Sequence, residues 1–360
     1  MIRVLVGLLN LSMWLLLAGC QTLGPAALGA GRGAYNDVIA RTSSEQTLGL
    51  LVRLRYSDPI GLLMVSSVTA GLRFNAEAKS EAGFGPRANY AGNLVPFSAG
   101  VAYEDSPTIS YTPVDGQAFL REWLTPVSLQ TLALVLQAAA RQDVFILLLV
   151  ERMNGLRNSA GATIAERTAF QRAATLLAEF RDLGVASWAQ KSGSAGHYEL
   201  ILSHYSPNHI NEVQDLLRLL ELKPDPARES IIRIPVALGV REPDFDGLAV
   251  QTRSVADILL ATAASIEVPR EDVNAGLVET TADSLGTLGT IQPILKIHSS
   301  RNAPDRANVA VQHRGWWFYV DDTDLASKRM FQRIQTLFLT RLSEATRGTQ
   351  AAPLLTIPVK

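Results

Sequence analysis

The sequence has one cysteine, Cys20, no uninterrupted apolar run of membrane length and no block of like charge. A single cysteine excludes an intramolecular disulfide framework and any Cys-rich metal site. Stability must come from an apolar core, and a hydrophobic fraction of 47% is ample for one. Charge is nearly balanced, with 33 Lys and Arg against 34 Asp and Glu. That balance carries no electrostatic footprint for nucleic acid, and no Lys/Arg cluster suggests a polybasic membrane patch. Catalytic signatures are missing too: there is no GxSxG elbow, no SxxK with its partner motifs and no HExxH. The nearest candidate for a second membrane helix, Leu132–Val150, carries Arg141, Gln142 and Asp143 in its middle. Charges at that depth are costly, so the run is read as two elements meeting at a turn.

What is present begins at the N-terminus. Arg3 precedes an apolar run, Val4–Leu17, broken only by Asn10 and Ser12, and small Ala18 and Gly19 follow. This is the layout of an export signal over residues 1–19. The run is shorter than the roughly 20 apolar residues a membrane span needs. The tetrapeptide Leu17-Ala18-Gly19-Cys20 resembles the lipobox of bacterial lipoproteins. The resemblance implies a covalent lipid on the Cys20 thiol, cleavage between Gly19 and Cys20, and acylation of the new amine. One acyl chain, at about 0.8 kcal/mol per buried methylene, anchors only marginally, whereas the three chains implied would hold firmly. With Gln21 rather than Asp after the cysteine, the resemblance implies an outer-membrane address with the body in the periplasm. No other cofactor is expected.

Residues 20–34 are rich in Gly and Ala and read as a flexible tether. Gly29–Gly33 lies within it without a preceding strand, which argues against a phosphate loop. Three folded regions are expected beyond it, over residues 35–142, 143–240 and 241–360. Thr42-Ser43-Ser44-Glu45 matches a capping box opening a helix to about Tyr56, where Asp58-Pro59 stops it. Period-two alternation from Ser66 to Lys79 predicts one long strand, with Val68, Ala70, Leu72, Phe74, Ala76 and Ala78 on one face. Val95–Tyr103 alternates again, which makes residues 66–103 a long β-hairpin, and Pro107–Val114 is a short third strand. Helices are predicted over Phe119–Leu124 and Val127–Ala140, with Pro126 in a first turn.

The continuously apolar Val144–Val150 is assigned as a buried strand. Thr163–Leu183 is an amphipathic helix closed by Gly184. Strands at Val185–Lys191 and His197–Ser203, a helix from Ser206 to Leu222 and a strand at Ile231–Val236 follow. The order β-α-β-β-α-β suggests a ferredoxin-like split βαβ unit within an α+β protein. The last region is expected to hold a helix at Val255–Ile266, a loop over 274–290, a β-meander (Pro293–His298, Ala307–Gln312, Trp316–Val320) and a C-terminal helix over Leu325–Ala345. A loose or edge-strand tail, 351–360, completes the chain. Glu45-Gln46 to Leu54-Arg55-Tyr56, Pro107–Tyr111, Asn154-Gly155-Leu156-Arg157-Asn158, and Trp317–Asp322 followed by Ser327-Lys328 look like a set shared by uncharacterised proteobacterial lipoproteins. That family has no assigned activity, so no functional residue is carried over.

Candidate chemistry is sparse. His197, His204 and His209 cluster in sequence, but their spacing does not converge on a metal. Asp321, Asp322 and Asp324 are weak metal candidates, lacking the glycine and following ligands of a calcium loop, and helix capping accounts for them. Trp316 and Phe318 alternate with Trp317 and Tyr319, so one pair is core, and the other is either core as well or a candidate surface for a partner or glycan. The expected function is a non-enzymatic scaffold or assembly role in a cell-envelope complex, with envelope protein partners or further copies of the chain. The alternatives are an oligomeric pore or export conduit built from the 66–103 hairpin, and a hydrolase or small-ligand binder at residues 316–322.

Overall fold

The computed structural model describes residues 36–69, 72–80, 97–105, 108–113, 116–139, 141–159, 161–190, 196–287, 295–347 and 355–358. The expected signal with Gly19 and Cys20, the expected tether and residues 81–96 lie outside them. The protein is α+β, and its chain divides into two compact units.

The first unit holds residues up to Ile60 together with Leu124–Phe338. Its helix α1 spans 36–55. Thr42 is therefore not an N-cap: its hydroxyl donates to the Val38 carbonyl at 2.9 Å, the back-bonding expected of a Thr inside a helix. Helix α3, Leu129–Ala138, is capped by Ser128, whose Oγ accepts from the Thr131 amide. Pro126 instead bridges to Ser254. The apolar run after it is a helix, α4 (Gln142–Leu149), and the strand β5 occupies only Val150–Met153. A continuous apolar run fits a buried helix as well as a buried strand. Here Leu148 and Leu149 are both buried, as are Phe145 and Ile146, so α4 is covered on several sides. Asp143 and Arg141 pair at 2.8 Å at the turn between α3 and α4.

Helix α5 (Ile164–Asp182) starts with a reciprocal capping box between Thr163 and Glu166 and ends at Gly184, whose φ of +72° suits only glycine well. The unit's large sheet runs β6 (Leu156–Arg157), β5, β10 (Leu248–Thr252), β9 (Ile231–Leu238), β8 (Tyr198–Ser203), β7 (Ala186–Gln190). Helix α6 (Ile210–Leu219) joins β8 to β9. From β5 to β9 the elements follow the expected order, with the two-residue β6 added before α5. In space, however, β10 stands between β5 and β9, so the strands do not interleave as in a ferredoxin-like unit. β9 and β10 are parallel yet joined only by residues 239–247, shorter than the usual crossover. The offset register, Leu248 opposite Val236, makes this short return sufficient. Gly247 allows it: a Cβ there would lie 2.4 Å from the Pro235 carbonyl.

β9 shows a half-buried sheet, with Ile232, Ile234 and Val236 inside and the residues between them exposed. Helix α5 adds Phe170, Leu176, Leu177 and Phe180 to the core, all buried. Each such side chain contributes about 2–3 kcal/mol of burial. The remaining elements are α7 (Val255–Ala263), α8 (Arg270–Asn274), α9 (Thr281–Thr287) and a small sheet. Helix α9 lies where a loop was expected. The small sheet is not a meander: β13 (Trp316–Asp321) is central, between β11 (His298–Ser300) and β12 (Ala307–His313).

The second unit comprises Gly61–Trp123 and Leu339–Lys360. The alternating stretch is two strands in different sheets, since periodicity reports faces and not partners. β1 (Leu63–Thr69) pairs with β4 (Thr108–Pro113), and β14 (Leu355–Pro358) adds an edge strand to β4. β2 (Leu72–Ser80) pairs with β3 (Phe97–Asp105) in unbroken antiparallel register from Leu72–Asp105 to Ser80–Phe97. Helix α2 is Gly116–Leu124. Helix α10 spans Leu325–Arg347, and on its final stretch Arg341 reaches Glu122 at 3.3 Å.

Candidate functional site

The C-terminal end of α1 gathers side chains from distant parts of the first unit. Arg55 and Tyr56 are buried, and Ser57 turns the chain at a φ of 55° before Asp58-Pro59 blocks further helix. The Tyr56 hydroxyl donates to Asp272 Oδ2 at 2.6 Å. Burial, then this carboxylate, pushes the phenol well above its ordinary value. The ring meets His313 and Phe318 edge-on, at 5.3 and 6.0 Å between centroids. Asp58 Oδ1 accepts from Arg314 at 2.7 Å and Oδ2 lies 2.9 Å from His313 Nε2. The Arg314 guanidinium, with His313 adding to it, holds the Asp58 carboxyl below the usual range.

Arg55 differs from its neighbours. Its Nη1 donates to Ser284 Oγ at 2.6 Å and its Nη2 to the Glu279 carbonyl at 2.7 Å. Its Nε is buried without an acceptor. Burial lowers its pKa, and Glu279 and Tyr56 only partly offset this. Beside it opens a cleft of about 500 Å³, lined by the end of α1, by α7, by residues 276–279 and by Ser284. The size and the mix of apolar walls with few polar groups are those of a small-molecule pocket.

The residues singled out from the sequence fall elsewhere. Trp316 and Phe318 are buried with Val320, while Trp317 and Tyr319 on the other face are half-buried. The Arg301 guanidinium lies 3.9 Å from the Trp316 ring centre. Asp321 accepts from the Thr323 amide and hydroxyl at 2.7 and 2.6 Å, and Asp324 caps α10 through the Ser327 amide at 3.0 Å. Asp322 pairs with Lys328 at 2.6 Å. Among the described residues, no group of three or more His, Cys, Asp or Glu is arranged to hold a metal. His204 and His209 each lie beside a serine hydroxyl, Ser203 at 3.0 Å and Ser206 at 3.1 Å.

The Asn154–Asn158 segment has a structural explanation. Asn154 turns the β5–β6 hairpin at a φ of 47°. Its amide donates to the Leu220 and Gly247 carbonyls and accepts from the Ala249 N–H at 2.8 Å. Asn158 donates to the Leu147 and Val150 carbonyls. Arg253 is buried among the Leu147, Leu148 and Asn158 carbonyls. Sequence reasoning missed the roles of Arg55, Asp272, Glu279, Ser284, His313 and Arg314. The one available signal was Arg55-Tyr56 at the end of an apolar helical stripe, directly before Asp58-Pro59. Compared with protein-family models, with curated proteins and with solved structures, the chain finds no match.

Proposed function

We propose that this chain is a lipid-anchored, non-enzymatic assembly subunit of a cell-envelope complex, held at the outer membrane through Cys20 with its body in the periplasm. The observation that carries the reading is the β2–β3 hairpin, whose nine-residue strands form a sheet of two strands alone among the described residues. A two-stranded sheet is marginal in water and gains stability from further strands. Open strand edges are ready templates for another chain. The lipobox-like Leu17–Cys20 supports the address, and the absence of nucleophile motifs in the sequence supports a structural role.

The hairpin also favours a second reading, an oligomeric pore or conduit that pools hairpins from several copies. Strands of nine residues reach about 30 Å and fall at the lower limit of about 9–11 residues for a membrane strand. Cross-linking with mass spectrometry in intact cells tests the assembly role. Cross-links from residues 72–105 to other copies or to envelope proteins are expected. A chain that remains monomeric in its own membrane, with no cross-linked partner, contradicts it. Protease protection of the same hairpin in intact membranes, with conductance in planar bilayers, separates the pore from a scaffold.

A further inference from the structure

The cleft beside Arg55 has a chemistry that the assembly role does not use. Its apolar walls are Leu54, Leu260, Ala263, Ala264, Leu277 and Val278, and Ser57, Glu279 and Ser284 join Arg55 in its polar lining. Two of them, Leu260 at 38% and Leu277 at 45%, are large apolar side chains left exposed to solvent. At its polar end Arg55 is only 8% exposed. A buried guanidinium normally sits against a carboxylate, because an unpaired buried charge is costly. Among the described residues, none forms an ion pair with Arg55. The Glu279 carboxylate approaches only through Ser284, whose hydroxyl donates to it at 3.1 Å while accepting from Arg55. Charge, incomplete hydrogen bonding and an adjoining apolar cleft therefore coincide.

We infer that the Arg55 cleft binds an apolar monocarboxylate, with the carboxylate on the Arg55 guanidinium and the apolar body against Leu260 and Leu277. An incoming carboxylate supplies the direct ion pair that Glu279, held one hydroxyl away, does not make, and a planar guanidinium suits it in particular. The apolar body covers side chains otherwise in water, at about 25 cal/mol per Å². Two sources offer this chemistry, a free organic acid and the C-terminal carboxylate of a peptide ending in an apolar residue.

The test is calorimetric titration of the full chain in lipid nanodiscs, with empty discs as the blank. The probes are 4-phenylbutanoate, its neutral amide, and acetyl-Ala-Leu-Phe with either a free or an amidated C-terminus. The expected result is saturable binding of at least one free acid, weakened about tenfold or more in its amide, since losing a charge-assisted pair exceeds 1.4 kcal/mol. Which acid binds identifies the source. Arg55→Met is expected to abolish the preference for acid over amide. Leu277→Asp, at a side chain left 45% exposed, is expected to weaken binding about tenfold by placing a like charge beside the carboxylate, with an unchanged urea-unfolding midpoint as the control for folding. Equal binding of acid and amide, no saturable heat with any probe at millimolar concentration, or unchanged binding in Leu277→Asp overturns the proposal.

Discussion

Among the described residues the first unit buries two arginines, and they are buried differently. Arg253 and Arg55 are 6% and 8% exposed, and burial lowers the pKa of both. Neither forms an ion pair among the described residues. Arg253 is enclosed by the carbonyls of Leu147, Leu148 and Asn158, at the end of α4 and the β5–β6 hairpin. Those carbonyls belong to backbone that helix and sheet leave unsatisfied, so the cation and the backbone complete each other. Arg55 has one hydroxyl, one carbonyl, an idle Nε and a cleft beside it. A buried cation in a closed cage of carbonyls fastens the fold. A buried cation with an incomplete cage that opens on an apolar cleft is available to a ligand.

Substitution tests that contrast, beginning with the largest effect. Arg253→Met is expected to cost about 3 kcal/mol in urea unfolding, since it strips a donor from the Leu147, Leu148 and Asn158 carbonyls. Asn154→Ala should cost about 2 kcal/mol by the same measurement, through lost bonds to Leu220, Gly247 and Ala249 and a non-glycine residue at positive φ. Asn154→Gly relieves the backbone part and should lose less. Arg55→Met should change stability by about 1 kcal/mol or less, because removing an unpaired buried charge offsets the two hydrogen bonds lost. A loss as large as that of Arg253→Met would erase the distinction between the two arginines.

The smallest effect concerns pH. The Thr163 amide, then Arg157, holds the Glu166 carboxyl down at about 2 from 4.5. A depressed carboxyl contributes stability above its unfolded value, and that contribution is lost as pH falls through the folded one. Stability should therefore decline between pH 4.5 and about 2, and Glu166→Gln should flatten that part of an acid-unfolding curve. An unchanged slope in the variant would show that the capping box does not titrate with folding.

How much of this was legible follows from the range of each interaction. Helix α5 was readable because its amphipathic pattern and Gly184 signal locally, and the Thr163–Glu166 box adds a second local signal. The Trp316–Val320 alternation was readable because strand faces have period two. Helix α4 was misread because Val144–Val150 carries no periodicity to separate strand from helix. The Thr42 box was misread because the same spacing occurs inside a helix already under way. The place of β10 depends on pairing between strands and on the close approach at Gly247, neither of which patterning encodes. The Arg55 site was least legible, since its partners Glu279 and Ser284 are 224 and 229 residues away.

The most direct measurement is NMR of the arginine side chains in the full chain, with 4-phenylbutanoate and the free-acid peptide titrated in turn. The account predicts that the Arg55 guanidinium signals shift in a saturable way with at least one acid while those of Arg253 stay in place. Arg55 signals that do not move with either acid, or that move only in step with those of Arg253, would contradict it.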